Sequence, residues 1–293
     1  FDEGSVFVPA NDKSKKVIND LAEELHLRLI GVNLTDKSKL KELKKVRVGL
    51  YKSYSASMDE GWTRLLLENY QFEFSSIVNK DFKNKKLKDN FDVIIVPDMS
   101  GDIIKTGKPG GENARFSRPK PPEYDGGIEK DGLENLKTFI EQDGGYLITL
   151  GQACNFAIDD LGLKVTNVLK NVKSDDFYCP GSLIRISVDN TNPIGYGMDK
   201  ESIGYLSDNM AFATSTPFGQ FDRSVVVRYP SNNLLKSGFL LGEDYLFKRN
   251  AIVDVKQKNG HVILFGFKVQ NRHQTFGTFK FLFNAIHLAG MQQ

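Results

Sequence analysis

The stretch Glu141 to Gly162, EQDGGYLITLGQACNFAIDDLG, constrains this chain more than any other. A helix runs into Asp143-Gly144-Gly145, where glycine takes up a positive φ at little cost and ends the helix. Tyr146 to Leu150 is a short apolar run bounded by glycines, too short for a helix, and it predicts a buried parallel strand. Gly151 breaks that strand. From Ala153 to Leu161 the spacing is helical again, with Phe156, Ala157 and Leu161 on one face. A strand, a sharp turn and a helix form the unit that holds functional groups above the carboxyl edge of a doubly wound sheet. Cys154 stands just past the turn, either as a nucleophile or as a small buried residue.

Length and composition narrow the classes. With 293 residues, 40% of them hydrophobic, the chain has material for one large α/β domain or a domain plus a small attachment. A formal net charge of +2 gives no bulk signal for nucleic-acid binding. No apolar run approaches the ~20 residues of a membrane span. Two cysteines, Cys154 and Cys179, fix no redox compartment; they pair if exported or stay free if cytosolic. The chain opens on Phe1-Asp2-Glu3, which reads as a fragment or mature chain of something longer.

Residues 1–45 read as a small α/β segment and linker, the tail of a preceding domain: a strand over Ser5–Pro9, a helix over Lys15–Leu25, a strand over Leu27–Val32 and a Lys-rich connector. Residues 46–293 form the main domain. Val46–Tyr51 predicts a strand, Asp59 a cap for the helix Glu60–Tyr70 with Trp62, Leu65 and Leu66 inward, and Gln71–Val78 a second strand. Phe91–Val96, FDVIIV, is the clearest buried strand, stopped by Pro97. From Asp98 to Gly127 the chain turns to Gly, Pro and charge. Loops of about 30 residues without structure are uncommon in compact domains, and this one would sit over the ligand-binding edge of the sheet. Lys105, Lys108, Arg115, Arg118 and Lys120 make it basic, as an anion site or as a solvated surface.

A helix over Glu129–Gln142 returns to the opening motif, and the β-α alternation implies a mostly parallel, doubly wound sheet with helices on both faces. Beyond Gly162 the texture is β-rich: strands over Leu183–Val188, Ser224–Tyr229, Ala251–Val255 and His261–Phe267, with Asn259-Gly260 as a hairpin signal and a final helix over Thr275–Leu288.

The chemistry-bearing residues are sparse. A zinc site needs three or four ligands, commonly with a close pair, and the histidines at 26, 261, 273 and 287 lie far apart. His261 and His287 read as structural, the latter at a helix end where positive charge is favoured. A thiol nucleophile wants a helix N-terminus and a base; Cys154 has the helix, and His273 is the candidate base. Small residues flank the nucleophile in a G-x-[SC]-x-G elbow, whereas here Phe156 stands two positions after the cysteine and Gly151 three before it. Asp98, Asp102, Glu123 and Asp125 offer a carboxylate pair across the long loop, with Tyr124 among them as a ligand-facing candidate.

Several motifs resemble one family when taken in order: SMDEGWTRLLLE (57–68), FDVIIVPD (91–98), PPEYDGGI (121–128), FYCPGSLIRI (177–186), NPIGYGM (192–198) and FGFKVQNRHQTFGTFKFLFNAI (265–286). They are similar to the C-terminal region of large bacterial zinc-carboxypeptidase-like proteins of the metallocarboxypeptidase superfamily, over residues 46–288. The resemblance implies a class I glutamine amidotransferase-like, flavodoxin-like fold. It also implies that zinc and its ligands belong to a separate N-terminal peptidase domain, so no cofactor is expected in this chain. The amidotransferase pattern puts Lys268 where its late histidine belongs and Gln270 where its glutamate belongs.

These readings converge on a non-catalytic amidotransferase-like accessory domain of an exported, periplasmic or extracellular zinc-peptidase-family protein. Its expected partners are the peptidase domain of the same polypeptide and a peptide or glycan. The alternatives are a Cys hydrolase or amidotransferase using Cys154 and His273, and a glycan-binding or oligomerisation module.

Overall fold

A computed structural model of the chain describes residues 4–38, 40–84, 86–110, 119–207, 210–216 and 221–291. Helix α1 (Asp12–Glu24) comes first, followed by strand β1 (Val48–Tyr51), helix α2 (Met58–Asn69), strand β2 (Phe74–Ile77), short helices α3 (Asn79–Asn84) and α4 (Leu87–Asn90), and strand β3 (Val93–Val96). Helices α5 (Gly101–Thr106) and α6 (Glu129–Glu141) lead to strand β4 (Tyr146–Leu150) and helix α7 (Ala153–Asp160). Then come strands β5 (Val165–Asn167), β6 (Ser182–Val188), β7 (Glu201–Leu206), β8 (Phe212–Thr214), β9 (Phe221–Arg228), β10 (Leu235–Ser237), β11 (Asn250–Gln257) and β12 (Gly260–Phe265), and helix α8 (Phe279–Leu288) closes the chain.

Five strands pair in parallel in the order β2-β1-β3-β4-β12, the flavodoxin-like order of doubly wound sheets. Continuous apolar strands are stable only when both faces are covered. Alternate residues of β3, β4 and β12 accordingly feed two separate cores. Val93, Ile95, Ile148 and Ile263 pack with Leu66 and Leu67 of α2 and with Phe281 and Leu282 of α8. Ile94, Val96, Leu147 and Leu264 face the other way, against Leu136 and Phe139 of α6 and Phe156 of α7. Each fully buried side chain of this kind contributes about 1.5–3 kcal/mol. The β-rich second half extends the same sheet: β11 pairs antiparallel with β12 through the expected hairpin, and β9, β6 and β10 follow. The α/β, mostly parallel fold read from the sequence is therefore the one observed.

Several local expectations are corrected. Ser5–Pro9 and Leu27–Val32 are not strands, and α1 buries no residue. The stripe of α2 that faces the core is Glu60, Thr63, Leu66 and Leu67, so Trp62 and Leu65 are only half-buried. The reason is tertiary: Thr63 Oγ1 donates to the Asp59 carbonyl at 2.7 Å and accepts from Gln270 Nε2 at 2.9 Å, which draws a polar position inward. The 98–127 segment is not structureless, since it holds α5 and a 3-10 turn at Pro122–Tyr124. Arg115 and Arg118 lie outside the described residues.

The parallel strands are also tied at their amino ends. Arg47 donates from Nε to Asp92 Oδ2 at 2.9 Å and from Nη2 to Oδ1 at 2.9 Å, and its guanidinium also reaches the carbonyls of Lys88 and Asp89. Burial alone would raise the Asp92 carboxyl, but the Arg47 guanidinium and backbone N–H, with Lys88 nearby, bring it down to about 2. A lowered folded-state value gives stability that is complete above the ordinary 3.8 and is lost as pH falls through about 2. Asp92→Asn should therefore lower the urea midpoint at neutral pH and converge on the parent in strong acid. Denaturation series across that window check this. A second series separates the aromatics. Phe281→Ala should show the ~3–5 kcal/mol of a buried ring, and Trp62→Ala clearly less.

Candidate functional site

The carboxyl edge of the parallel sheet gathers three charged groups from distant parts of the chain. Asp59 lies in the first turn of α2, which Ser57 caps by accepting from the Glu60 N–H at 3.2 Å. Asp98 follows the end of β3, beyond Pro97. Lys268 follows β12, where its N–H donates to the Tyr205 carbonyl at 2.9 Å. Lys268 Nζ donates to Asp59 Oδ1 at 3.1 Å and to Asp98 Oδ2 at 3.0 Å. Burial pushes the Asp59 carboxyl above its ordinary value; Lys268 pulls it back, and the Asp98 charge raises it again.

The sharp turn after β4 sits against this cluster. Gly151 has φ +55°, a left-handed conformation natural to glycine, and a Cβ there would meet the Asp98 carboxylate within 3 Å. Asp98 Oδ1 accepts from the Gln152 N–H at 2.9 Å. A nucleophile elbow carries its reactive side chain on such a strained strand-to-helix residue. The residue between β4 and α7 with positive φ is a glycine, and the Asp98 carboxylate occupies the space in front of it.

Cys154 and His273 are not brought together. Cys154 is fully buried in the core beneath α7, where its Sγ donates to the Thr149 and Phe265 carbonyls at 3.4 Å. His273 lies toward the opposite face, with its ring against Phe279 and its Nε2 3.1 Å from Asn69 Nδ2. Cys179 is buried in that opposite core, where its Sγ donates to the Leu206 carbonyl at 3.2 Å. Glu123, Tyr124 and Asp125 sit apart from the Lys268 cluster, beside α3: the Tyr124 carbonyl accepts from Asn79 Nδ2 at 2.7 Å, and the Asp125 carbonyl accepts from Lys83 Nζ at 3.1 Å. Of the basic loop residues, Lys105 pairs with Asp160 and Lys120 donates to the Gly107 carbonyl. His261 is structural, stacked on Tyr146 and 2.8 Å from Asp254. Burial lowers the His287 imidazole, so this helix end holds a ring favouring the neutral form instead of the expected cation. Among the described residues no three His, Cys, Asp or Glu side chains converge on a metal site. Among them, too, no helix is long and apolar enough to cross a membrane.

Beside Lys268 opens a cleft of about 400 Å³, lined by Asp59, Trp62 and the loop that carries Asn271, Arg272 and Gln274. Sequence pattern alone makes Asp59 a cap and Trp62 a core residue, and so misses both as cleft residues. The available signal is Lys268, a lone cation in the apolar FGFKVQ run, which needs a buried counter-charge.

The sequence matches no family model and no curated protein. Solved structures resemble the fold. A cytoplasmic protein from Salmonella typhimurium aligns with TM-score 0.50 and 14% identity, over 85% of this chain and 100% of that one. A β-galactosidase from Bacillus circulans sp. alkalophilus aligns with TM-score 0.50 and 12% identity, over 85% of this chain but 32% of that one. A glutamine amidotransferase from Thermotoga maritima aligns at TM-score 0.46 and 9% identity, over 80% and 81% of the two chains. At these identities the likeness is one of fold alone, and the zinc-carboxypeptidase resemblance rests on the sequence motifs.

Removing the Lys268 ammonium strands two carboxylates. Lys268→Met should cost ~3–5 kcal/mol at neutral pH, as an uncompensated buried charge does, and far less in acid. Asp59 tests the sign separately. Its raised folded-state value gives stability that is complete below 3.8 and is lost as pH rises through the folded value. The parent's stability relative to Asp59→Asn should thus be greatest in acid and shrink toward neutrality in urea titrations.

Proposed function

We propose that this chain is a non-catalytic, glutamine amidotransferase-like accessory domain that binds a ligand at the carboxyl edge of its sheet. The observation that supports the reading is the turn at Gly151: the elbow keeps its backbone geometry, while glycine removes the nucleophile and the Asp98 carboxylate fills the space. Lys268, which stands where the amidotransferase pattern has histidine, is held by two carboxylates. Gln270, in the glutamate position, is spent on Thr63. Nucleophile, base and orienting group act as one unit, and all three are replaced.

The motif resemblance supports a longer, exported zinc-carboxypeptidase-family protein as the parent, with the peptidase domain as neighbour and a peptide or glycan as ligand. In this reading the peptidase domain supplies the zinc and the hydrolysis, and the present domain supplies recognition.

Hydrolysis of glutamine and of activated esters by the purified chain should equal buffer blanks. Turnover that vanishes in Cys154→Ala would overturn the reading in favour of a thiol hydrolase. The same preparation allows a direct check of thiol access. Neither Cys154 nor Cys179 should react with a thiol-specific reagent until denaturant is added, and both should react together on unfolding. Rapid labelling of Cys154 in the native state would again favour the hydrolase.

A further inference from the structure

The Lys268 cleft has a chemistry of its own, which gives the proposed accessory domain a ligand class and rests on that reading. One wall is the half-buried indole of Trp62, the one tryptophan in the chain. The facing wall is the loop after β12. Arg272 has φ +49° and His273 has φ +55°, two consecutive residues in the left-handed region that are not glycine. Such conformations cost of order 1–3 kcal/mol each and persist where the surroundings impose them. The surroundings here are visible: His273 is held by Asn69 and by the rings of Phe276 and Phe279, and Thr275 and Thr278 both donate to the Val269 carbonyl. This strained loop presents Asn271, Arg272 and Gln274 to the cleft, and among the described residues their side chains make no hydrogen bond or ion pair.

Charge decides which ligand class fits. Among the described residues, Asp59 and Asp98 both hold Lys268, and with the unpaired Arg272 these four charges sum to zero. A phosphate or a peptide carboxylate would find the Lys268 ammonium already held by two carboxylates, with Arg272 as the cation left to meet it among the described cleft residues, and a cation would find those carboxylates taken by Lys268. The site instead combines the Trp62 indole with amide, guanidinium and carboxylate groups. An indole face takes the C–H face of a sugar ring, and planar groups donate to or accept from neighbouring hydroxyls in pairs. The volume, about 400 Å³, is that of a small-ligand pocket.

We infer that the cleft between Trp62 and the Asn271–Gln274 loop binds a neutral saccharide. The indole stacks on one sugar ring; Arg272, Asn271, Gln274 and Asp59 bind its hydroxyls.

Because Trp62 is the sole tryptophan, its emission reports the cleft directly. The full chain is titrated with neutral oligosaccharides of glucose, galactose, mannose, xylose and N-acetylglucosamine. A tripeptide with a free carboxylate and inorganic phosphate are titrated alongside. At least one oligosaccharide should change the emission saturably, with a half-point that added salt leaves unmoved, since a neutral ligand is not screened. Asn271→Ala and Arg272→Ala, which leave the indole in place, should each raise the dissociation constant by about tenfold or more. Calorimetry should show binding lost in Trp62→Ala and partly retained in Trp62→Phe. A flat response to every oligosaccharide overturns the inference, as does binding of the tripeptide or phosphate alone that fades with salt. Neither outcome touches the hydrolysis blanks, so a failure here is distinct from a failure of the accessory-domain reading.

Discussion

Strands with apolar side chains on both faces must be covered twice, and that requirement shapes this molecule. Strands β3, β4 and β12 are buried throughout their lengths. Helices α2 and α8 cover one face, and α6 and α7 the other. The crossovers that carry those helices place every β-to-α turn of the parallel half at one edge of the sheet. Asp98 and Gly151 meet there because β3 and β4 are neighbours, and Lys268 joins them because β12 lies on the other side of β4. The charged cluster is thus a product of strand order.

What the sequence disclosed obeys the same physics. FDVIIV and YLITL are legible as strands because uninterrupted apolar residues flanked by turn formers have few other outcomes. The inward face of α2 is not legible, because its stripe includes Glu60 and Thr63. A polar residue buried by a partner such as Gln270, 207 positions away, leaves no periodic trace. Strand-like runs in the first 45 residues lack the pairing partners that strands need. Lys268 and Gln270 are legible as departures from the amidotransferase pattern, yet nothing local announces that Asp59 and Asp98 hold the lysine.

Gly151 shows how one turn residue sets what lies beside it. Its left-handed torsion turns the chain sharply after β4, and the hydrogen bond from Gln152 to Asp98 keeps the turn closed. With no side chain on Gly151, the Asp98 carboxylate occupies the space beside the turn, and Lys268 bridges Asp98 to Asp59. These ion pairs lie beside the cleft that Trp62 and the loop after β12 line.

The pairing of β12 with β4 also governs how the domain assembles as it is made. Thr149 bonds to the Ile263 carbonyl across 114 positions of sequence. Closing so long a loop is entropically costly and slows folding. On a ribosome, β1, β2, β3 and β4 emerge long before β12 exists, leaving the mostly apolar β4 as a bare edge. Such an edge is a template for wrong partners. Truncations that remove the final hairpin and α8 would leave a sticky half-sheet in place of a smaller stable domain.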